Sequence, residues 1–162
     1  MAGNLRRSQM RITQVMIRDL ACLEGNATVA DAARLMKEKD IGAVLITDSG
    51  KLVGIVTERD LALKVLAEGR GGDVPITEIY TPNPETAREG ASVAECIVLL
   101  RDAHFRHLPI VDLEKKPVGI VSTRDFYKKL AEGMDRIFEE TGFSLQIAEG
   151  EDPYTVILGP SV

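Results

Sequence analysis

The chain contains one segment twice. Residues 54–60 read Gly-Ile-Val-Thr-Glu-Arg-Asp, and 65 positions later residues 119–125 read Gly-Ile-Val-Ser-Thr-Arg-Asp. Longer segments around these heptapeptides also align in the same order. A repeat of this length is a folding unit that cannot bury its apolar face alone. The sequence therefore predicts one pseudo-symmetric body made of two packed copies, with function in the cleft between them.

Composition narrows the class of protein. With 162 residues, 44% of them hydrophobic and 28% charged, the chain is long enough for a globular core but short for two independent enzymes. No apolar run approaches the roughly 20 residues of a membrane helix, and the first residues lack the apolar middle of a signal peptide. Cys22 and Cys96 occupy unmatched positions, which favours free thiols in a reducing compartment. We therefore expect a cytoplasmic protein.

The net charge of -5 argues against general nucleic-acid binding. The short basic segment with Arg6, Arg7 and Arg11 lacks interleaved aromatic residues, so we interpret it as a solvated terminus. Any anionic ligand must then be held by local positive charge or by helix ends.

Each half predicts the same element order. Helical spacing follows Thr28 and Ser92, and apolar strands are predicted over residues 43–46 and 108–111 and again over 52–56 and 117–121. Second helices begin at Thr57 and Ser122, so the fold is predicted to be α/β, with two βαββα repeats about a pseudo-twofold axis. The repeats align at an offset of 64 up to Arg101 and of 65 afterwards, which predicts one residue inserted between Arg101 and Arg106.

The domain organisation follows from this alignment. We expect a flexible arm over residues 1–11, a first repeat over 12–68, a glycine-rich linker over 69–75, a second repeat over 76–132 and a C-terminal extension over 133–162. The last helix of the second repeat is predicted to continue to about Gly142, and residues 154–158 are strand-like.

These repeats resemble the paired cystathionine-β-synthase (CBS) domain, or Bateman module. The resemblance rests on a Gly-hydrophobic-x-Thr/Ser-x-x-Asp motif after a strand, found at Gly54–Asp60 and Gly119–Asp125, and it covers about residues 12–130. Members of this family are generally not enzymes. The resemblance implies binding of an adenosine compound, such as AMP, ADP, ATP or S-adenosylmethionine, and transmission of that event to a partner.

The motif has a structural and a functional interpretation. Thr57 with Asp60, and Ser122 with Asp125, match the helix capping box, as do Thr28–Asp31 and Ser92–Glu95, to which we assign no ligand. The glycine at the start of the motif lets another group approach the backbone closely, and we expect that group to be a ligand. The helix start offers N–H groups to a phosphate. The aspartate can accept hydrogen bonds from ribose hydroxyls through lone pairs that the cap leaves free.

Other residues enter the candidate site by position or by resemblance. Arg59 and Arg124 are either solvated side chains or phosphate ligands. The resemblance implies that the first apolar strand of each repeat, with the residues just before it, borders the nucleotide and reads the adenine edge through its backbone. It also implies that one residue near the start of each repeat lines the adenine pocket, the alternative being that this residue belongs to the core. These residues are Gly42, Val44, Arg106, His107, Leu108, Pro109, Ile17 and Thr81. The cleft bordered by Arg106 and His107 is the more positive one and suits a polyphosphate.

Catalysis finds no support in the sequence. The two histidines lie on one short segment without a nucleophile, and no zinc-binding motif is present, so we expect neither an enzyme nor a required cofactor. We expect a regulatory sensor that forms a homodimer and modulates an unidentified partner. The alternative is a constitutive assembly module with vestigial clefts. The predicted dimer contact consists of Leu61, Val65, Leu66, Phe126 and Leu130.

Overall fold

The computed structural model describes residues 10–102, 106–128, 132, 143–147 and 156–160, the last two ranges as backbone strands. The predicted arm over residues 1–9 and the predicted continuation of the last helix to Gly142 lie outside these residues. The chain divides into two compact units, Met1–Thr123 and Arg124–Val162.

In its described residues, the first unit contains two sheets, three longer helical segments and two short 3-10 helices, Ile12–Gln14 and Ile76–Glu78. One sheet has the order β1–β2–β3–β4, made of Cys22–Glu24, Ala43–Asp48, Lys51–Thr57 and Thr81–Pro82. The other has the order β5–β6–β7, made of Ala87–Arg88, His107–Val111 and Pro117–Ser122. The helices are α1 (Val29–Lys39), α2 (Glu58–Leu61, followed by a π-helical segment over Ala62–Leu66) and α3 (Val93–Asp102). The helix starts at Thr28, Thr57 and Ser92 and the four long strands agree with the sequence predictions, and the βαββα order is confirmed.

The second unit contains helical residues at its start and an antiparallel hairpin. Residues 123–128 are helical across the boundary between the units. The hairpin pairs β8 (Phe143–Ile147) with β9 (Val156–Pro160). The strand expected over residues 154–158 therefore overlaps β9.

Each repeat completes the sheet of the other. Thr81, which precedes the second repeat's strands, pairs with Ile55 of β3. Ile17, at the equivalent place in the first repeat, exchanges backbone hydrogen bonds of 2.9 and 3.0 Å with Ile120 of β7. The two copies are thus joined by reciprocal β pairing as well as by contact between their apolar faces.

The segments that each repeat contributes to the other also hydrogen-bond to the residues just before the helix starts. The Ile76 N–H donates to the carbonyl of Ala27 just before α1 (2.9 Å), and the Ile12 N–H donates to the carbonyl of Ala91 just before α3 (3.0 Å). Ile76 and Ile12 are both fully buried. The predicted linker also contacts α1, because the Gly72 carbonyl accepts a 2.8 Å hydrogen bond from the N–H of Ala30.

The motif glycines accommodate side chains from the exchanged segments. A Cβ on Gly54 would overlap the ring of Tyr80, and a Cβ on Gly119 would overlap the thioether of Met16. The space above each glycine is therefore filled by protein, whereas we had expected it to admit a ligand. That expectation was wrong because the sequence does not reveal which side chain the other repeat brings to this place.

The strand register corrects the predicted insertion. Ile46 pairs with Gly54 in the first repeat, and Ile110 pairs with Gly119 in the second. The glycines are 65 residues apart but the isoleucines only 64, so the extra residue lies in the turn between β6 and β7. The predicted insertion between Arg101 and Arg106 is wrong. Arg106 and His107 are consequently the counterparts of Gly42 and Ala43.

Substitution of the motif glycines tests the exchanged packing. We expect Gly54→Ala to lower the free energy of unfolding by about 2–3 kcal/mol, because the Tyr80 ring must leave its place. Gly119→Ala should cost less, about 1 kcal/mol, because the flexible Met16 side chain can adapt. Urea denaturation of both variants measures the difference.

Gly90→Ala provides the control. A Cβ at Gly90 meets no atom within 4 Å, so this variant should stay within about 0.5 kcal/mol of the wild type. Equal losses at Gly54 and Gly90 would contradict the packing of Tyr80 on β3.

Candidate functional site

The first strand-to-helix corner is a complete capping box. The hydroxyl and the N–H of Thr57 both donate to Oδ2 of Asp60, at 2.6 and 2.9 Å, and the Asp60 N–H donates to the Thr57 hydroxyl at 3.3 Å. The structural interpretation of this pair is therefore confirmed. A ligand at this corner can use only the hydrogen-bonding positions that the capping box leaves free.

Lys64 occupies the other carboxylate oxygen. Its ammonium lies 2.8 Å from Oδ1 of Asp60 and also donates to the carbonyl of Ile79 at 2.7 Å. The Asp60 side chain is 14% exposed. Since each carboxylate oxygen has about two acceptor positions, Oδ2 is saturated and Oδ1 keeps one. A ribose could place one hydroxyl there without moving Lys64, and a second only by displacing it.

The surroundings of Asp60 keep it ionised. Burial raises the pKa of its carboxyl, but hydrogen bonds from Lys64 and from the hydroxyl and N–H of Thr57, together with the charge of Lys64, outweigh burial, so the pKa lies below the ordinary 3.8. The carboxylate is thus a charged acceptor at neutral pH.

The first helix carries the same box outside the predicted sites. Thr28 donates to Oδ2 of Asp31 through its N–H (2.9 Å) and its hydroxyl (2.8 Å), and the Asp31 N–H donates back at 3.3 Å. These hydrogen bonds lower the pKa of Asp31 to about 2. Its remaining oxygen pairs with Arg34 at the surface. Asp31 therefore offers a matched reference for a cap without an assigned ligand.

A carboxylate lies directly over Gly42 at the first corner. The Glu58 N–H donates to the Gly42 carbonyl at 3.0 Å, and the carboxyl carbon of Glu58 lies 3.3 Å from the place that a Cβ on Gly42 would take. The second repeat repeats this backbone geometry, because the Thr123 N–H donates to the Arg106 carbonyl at 3.1 Å. The first corner thus has an acidic side chain where the second has the side chain of Arg106.

Three strand residues of the predicted site, Val44, Leu108 and Pro109, can offer only their backbone to a ligand. Val44 and Leu108 are fully buried, and Pro109 is among the fully buried core residues. The carbonyls of Gly42 and Arg106 already accept hydrogen bonds from the helix starts. His107 is half-buried and pairs with Ser122 across the β6–β7 ladder.

The exchanged residues lie next to the corner of the opposite repeat. Thr81 is exposed and pairs with β3, two residues before Thr57, whereas Ile17 is 45% exposed and pairs with β7, two residues before Ser122. The structure therefore brings Thr81 to the first corner and Ile17 to the second. Their contact with adenine stays a prediction.

The remaining predicted site residues are Arg59, Arg124 and Asp125, which differ in exposure and in the unit to which they belong. Arg59 is exposed and makes no ion pair within the described part of the chain. Arg124 is exposed and Asp125 half-buried, and both belong to the second unit. Their roles stay predictions.

Sequence reasoning missed Lys64 and Glu58. Lys64 follows Asp60 at the i,i+4 spacing of a helical ion pair, and Lys129 stands 65 residues later, so the repeat did carry a signal. The counterpart of Glu58 in the second repeat is the neutral Thr123, so no repeated pattern marked the carboxylate.

An open groove of about 700 Å³ lies at the opposite end of the second sheet from Ser122. It is lined by Arg88, Glu89, Gly90, Val111, Asp112, Leu113, Glu114 and Lys116. Within residues 10–102 and 106–128, no group of three His, Cys, Asp or Glu side chains is placed to hold a metal ion. No helix in the described ranges has the length and apolar character needed to cross a membrane.

The predicted dimer contact needs one correction. Val65 is 3% exposed and belongs to the core of the first half, so it is not available to a partner. Leu63 and Leu66 are instead exposed, at 51% and 75%. The π-helical segment turns these side chains outward.

The duplicated βαββα order is that of a CBS pair. The model of the CBS domain matches residues 12–67 and 76–132, so the chain belongs to the CBS domain family. It is 33% identical over 114 residues to the CBS domain-containing protein YhcV of Bacillus subtilis, covering 70% of this chain and 81% of that protein.

Solved structures share the fold. A protein with CBS domains from Burkholderia ambifaria superposes with a TM-score of 0.66 at 36% identity, over 71% of this chain and 85% of that one. The CBS domain pair of protein MJ0100, solved in complex with 5′-methylthioadenosine and S-adenosyl-L-methionine, superposes with a TM-score of 0.71 at 28% identity, over 76% of this chain and 98% of that one.

The Asp60–Lys64 pair predicts a measurable change in acidity. Lys64→Met removes the ammonium that stabilises the carboxylate, so we expect the pKa of Asp60 to rise, whereas Lys37→Met on α1 should leave it unchanged. NMR titration of the carboxyl carbon measures both. An unchanged pKa in Lys64→Met would contradict the ion pair.

Stability should depend on pH through the same group. Because the folded pKa lies below 3.8, the contribution of Asp60 is complete above that pH and is lost as the pH falls through the folded pKa. The difference in unfolding free energy between wild type and Asp60→Asn should therefore shrink in acid.

Proposed function

We propose that this protein is a regulatory, non-enzymatic CBS pair that binds an adenosine-containing ligand at its strand-to-helix corners. The observation that carries the proposal is the half-buried Asp60 carboxylate, which keeps one acceptor position at the corner where β3 meets α2. The repeated motif assigns the same role to Asp125.

The ligand class is supported by the solved relative. Protein MJ0100 was crystallised with 5′-methylthioadenosine and S-adenosyl-L-methionine, which share an adenosine whose ribose carries two hydroxyls. AMP, ADP and ATP contain the same ribose, so the acceptor at Asp60 suits all of them. The candidate site comprises the corner residues, the strand backbone at Gly42 and Arg106, and the exchanged residues Thr81 and Ile17.

Lys64 supplies a route from binding to conformation. Its ammonium joins Asp60 to the carbonyl of Ile79, which belongs to the segment that the second repeat contributes to the first half. A ligand whose two ribose hydroxyls both bind Oδ1 of Asp60 displaces Lys64 from this bridge and so alters the contact between the repeats. A partner that prefers one arrangement then responds to the ligand through the difference in its affinity for the two states.

The cellular setting is part of the proposal. We place the protein in the cytoplasm as a homodimer whose contact includes the exposed Leu63 and Leu66, with repeats at 12–68 and 76–132 flanked by an arm and a C-terminal extension. The regulated partner is a separate protein.

One observation favours the alternative of a constitutive assembly module. Thr57 and Lys64 already satisfy most of the Asp60 carboxylate, so the corner is stable without a ligand. In that case the clefts stay empty and the exchanged segments serve assembly alone.

Calorimetric titration of the full chain with AMP, ATP and S-adenosylmethionine distinguishes a ligand-binding regulatory protein from a constitutive assembly module. We expect at least one of them to bind wild type, and the double variant Asp60→Ala/Asp125→Ala to lose binding by roughly a hundredfold, as for loss of a buried charged acceptor. Asp31→Ala, which removes the matched cap, should retain wild-type affinity.

The outcomes are distinct. Absence of binding to wild type by all three compounds, with the dimer intact by light scattering, would support the assembly module. Equal loss in Asp31→Ala and in the double variant would mean that the aspartates act through stability alone.

A further inference from the structure

The two corners share one backbone geometry but place opposite charges at the same position. At the first corner the carboxyl carbon of Glu58 lies 3.3 Å from the place that a Cβ of residue 42 would take. At the second corner the counterpart of Gly42 is Arg106, and the counterpart of Glu58 is the neutral Thr123. In both corners the residue after the cap donates its N–H to this strand residue, at 3.0 and 3.1 Å.

The remaining charges do not cancel this difference. Asp60 is neutralised by Lys64 at the first corner, and the repeat places Lys129 at the matching position after Asp125 in the sequence. Arg59 likewise has its counterpart in Arg124. What distinguishes the corners is therefore Glu58 in place of a threonine and Arg106 in place of a glycine, which amounts to two unit charges.

We propose that Glu58 and Arg106 sort ligands by charge, so that the first corner takes an adenosine compound without phosphate, neutral or cationic at its 5′ position, and the second takes a 5′-phosphorylated one. This inference rests on the proposed function of the corners. Glu58 acts as a specificity-determining residue at the first corner, and Arg106 has that role at the second.

The physical basis is repulsion and pairing at two exposed side chains, Glu58 and Arg106. A phosphate dianion next to the Glu58 carboxylate is destabilised, because like charges a few ångströms apart repel, most strongly at low salt. A neutral thioether meets no such penalty, and a sulfonium is attracted. At the second corner the guanidinium of Arg106 can form two parallel hydrogen bonds with a phosphate.

Each corner can be measured alone in the full-length protein. In the Asp125→Ala chain, which retains the first corner, we expect 5′-methylthioadenosine to bind roughly tenfold or more tightly than AMP at low salt, because the phosphate carries two charges. Glu58→Gln keeps the size of the side chain and should raise AMP affinity about three- to tenfold while changing 5′-methylthioadenosine by less than about twofold.

Two further variants complete the experiment. Glu38→Gln removes an equal charge from the exposed face of α1 and should change neither affinity. In the Asp60→Ala chain, which retains the second corner, Arg106→Gly should weaken AMP about tenfold and leave 5′-methylthioadenosine within about twofold. Thermal denaturation checks that each variant is folded.

Failure of this inference differs from failure of the proposed function. If 5′-methylthioadenosine and AMP bind the first corner equally, and Glu58→Gln changes neither, charge sorting is overturned while ligand binding stands. Binding to wild type that is lost entirely in Asp125→Ala shows an unused first corner and also overturns it. If neither compound binds wild type, both proposals are overturned.

Discussion

Each half of the protein is completed by a segment that belongs to the other repeat. Thr81 extends the first sheet and Ile17 extends the second, while Tyr80 and Met16 cover the glycines of β3 and β7. Separating the copies would expose unpaired strand edges and leave these side chains without a packing surface. The pseudo-symmetric body is therefore a consequence of exchange, and both candidate corners depend on it because each lies beside the borrowed residue.

At the first corner one carboxylate makes two structural contacts and leaves room for a third. Asp60 closes the cap of α2 with one oxygen and pairs with Lys64 through the other, which leaves a single acceptor position. Lys64 also reaches the carbonyl of Ile79 in the exchanged segment. In the proposed mode of binding, a second ribose hydroxyl on Oδ1 would displace Lys64 from this contact between the repeats, which would link occupancy to the arrangement of the halves.

Duplication preserved the backbone of the corner and left its charge free to change. The hydrogen bonds from Glu58 to Gly42 and from Thr123 to Arg106 are nearly equal in length, although the side chains are unrelated. Backbone hydrogen bonds tolerate any side chain that does not clash, so these positions can differ between repeats without loss of the fold. The helix caps at Thr28 and Ser92 have no such glycine-bearing strand before them, and we assign them no ligand.

Local patterns were enough to predict the elements and the caps, because a capping box and an apolar strand depend on residues a few positions apart. Thr28, Ser92 and Thr57 begin helices as the sequence predicts. The inserted residue was misplaced, since an apolar strand shifted by one position still aligns well, and only the pairing of Ile110 with Gly119 decides the register. The partner of Gly54, the bridge from Lys64 to Ile79 and the carboxylate above Gly42 follow from contacts between segments distant in the chain. Such contacts have no spacing rule, so the tertiary structure alone determines them.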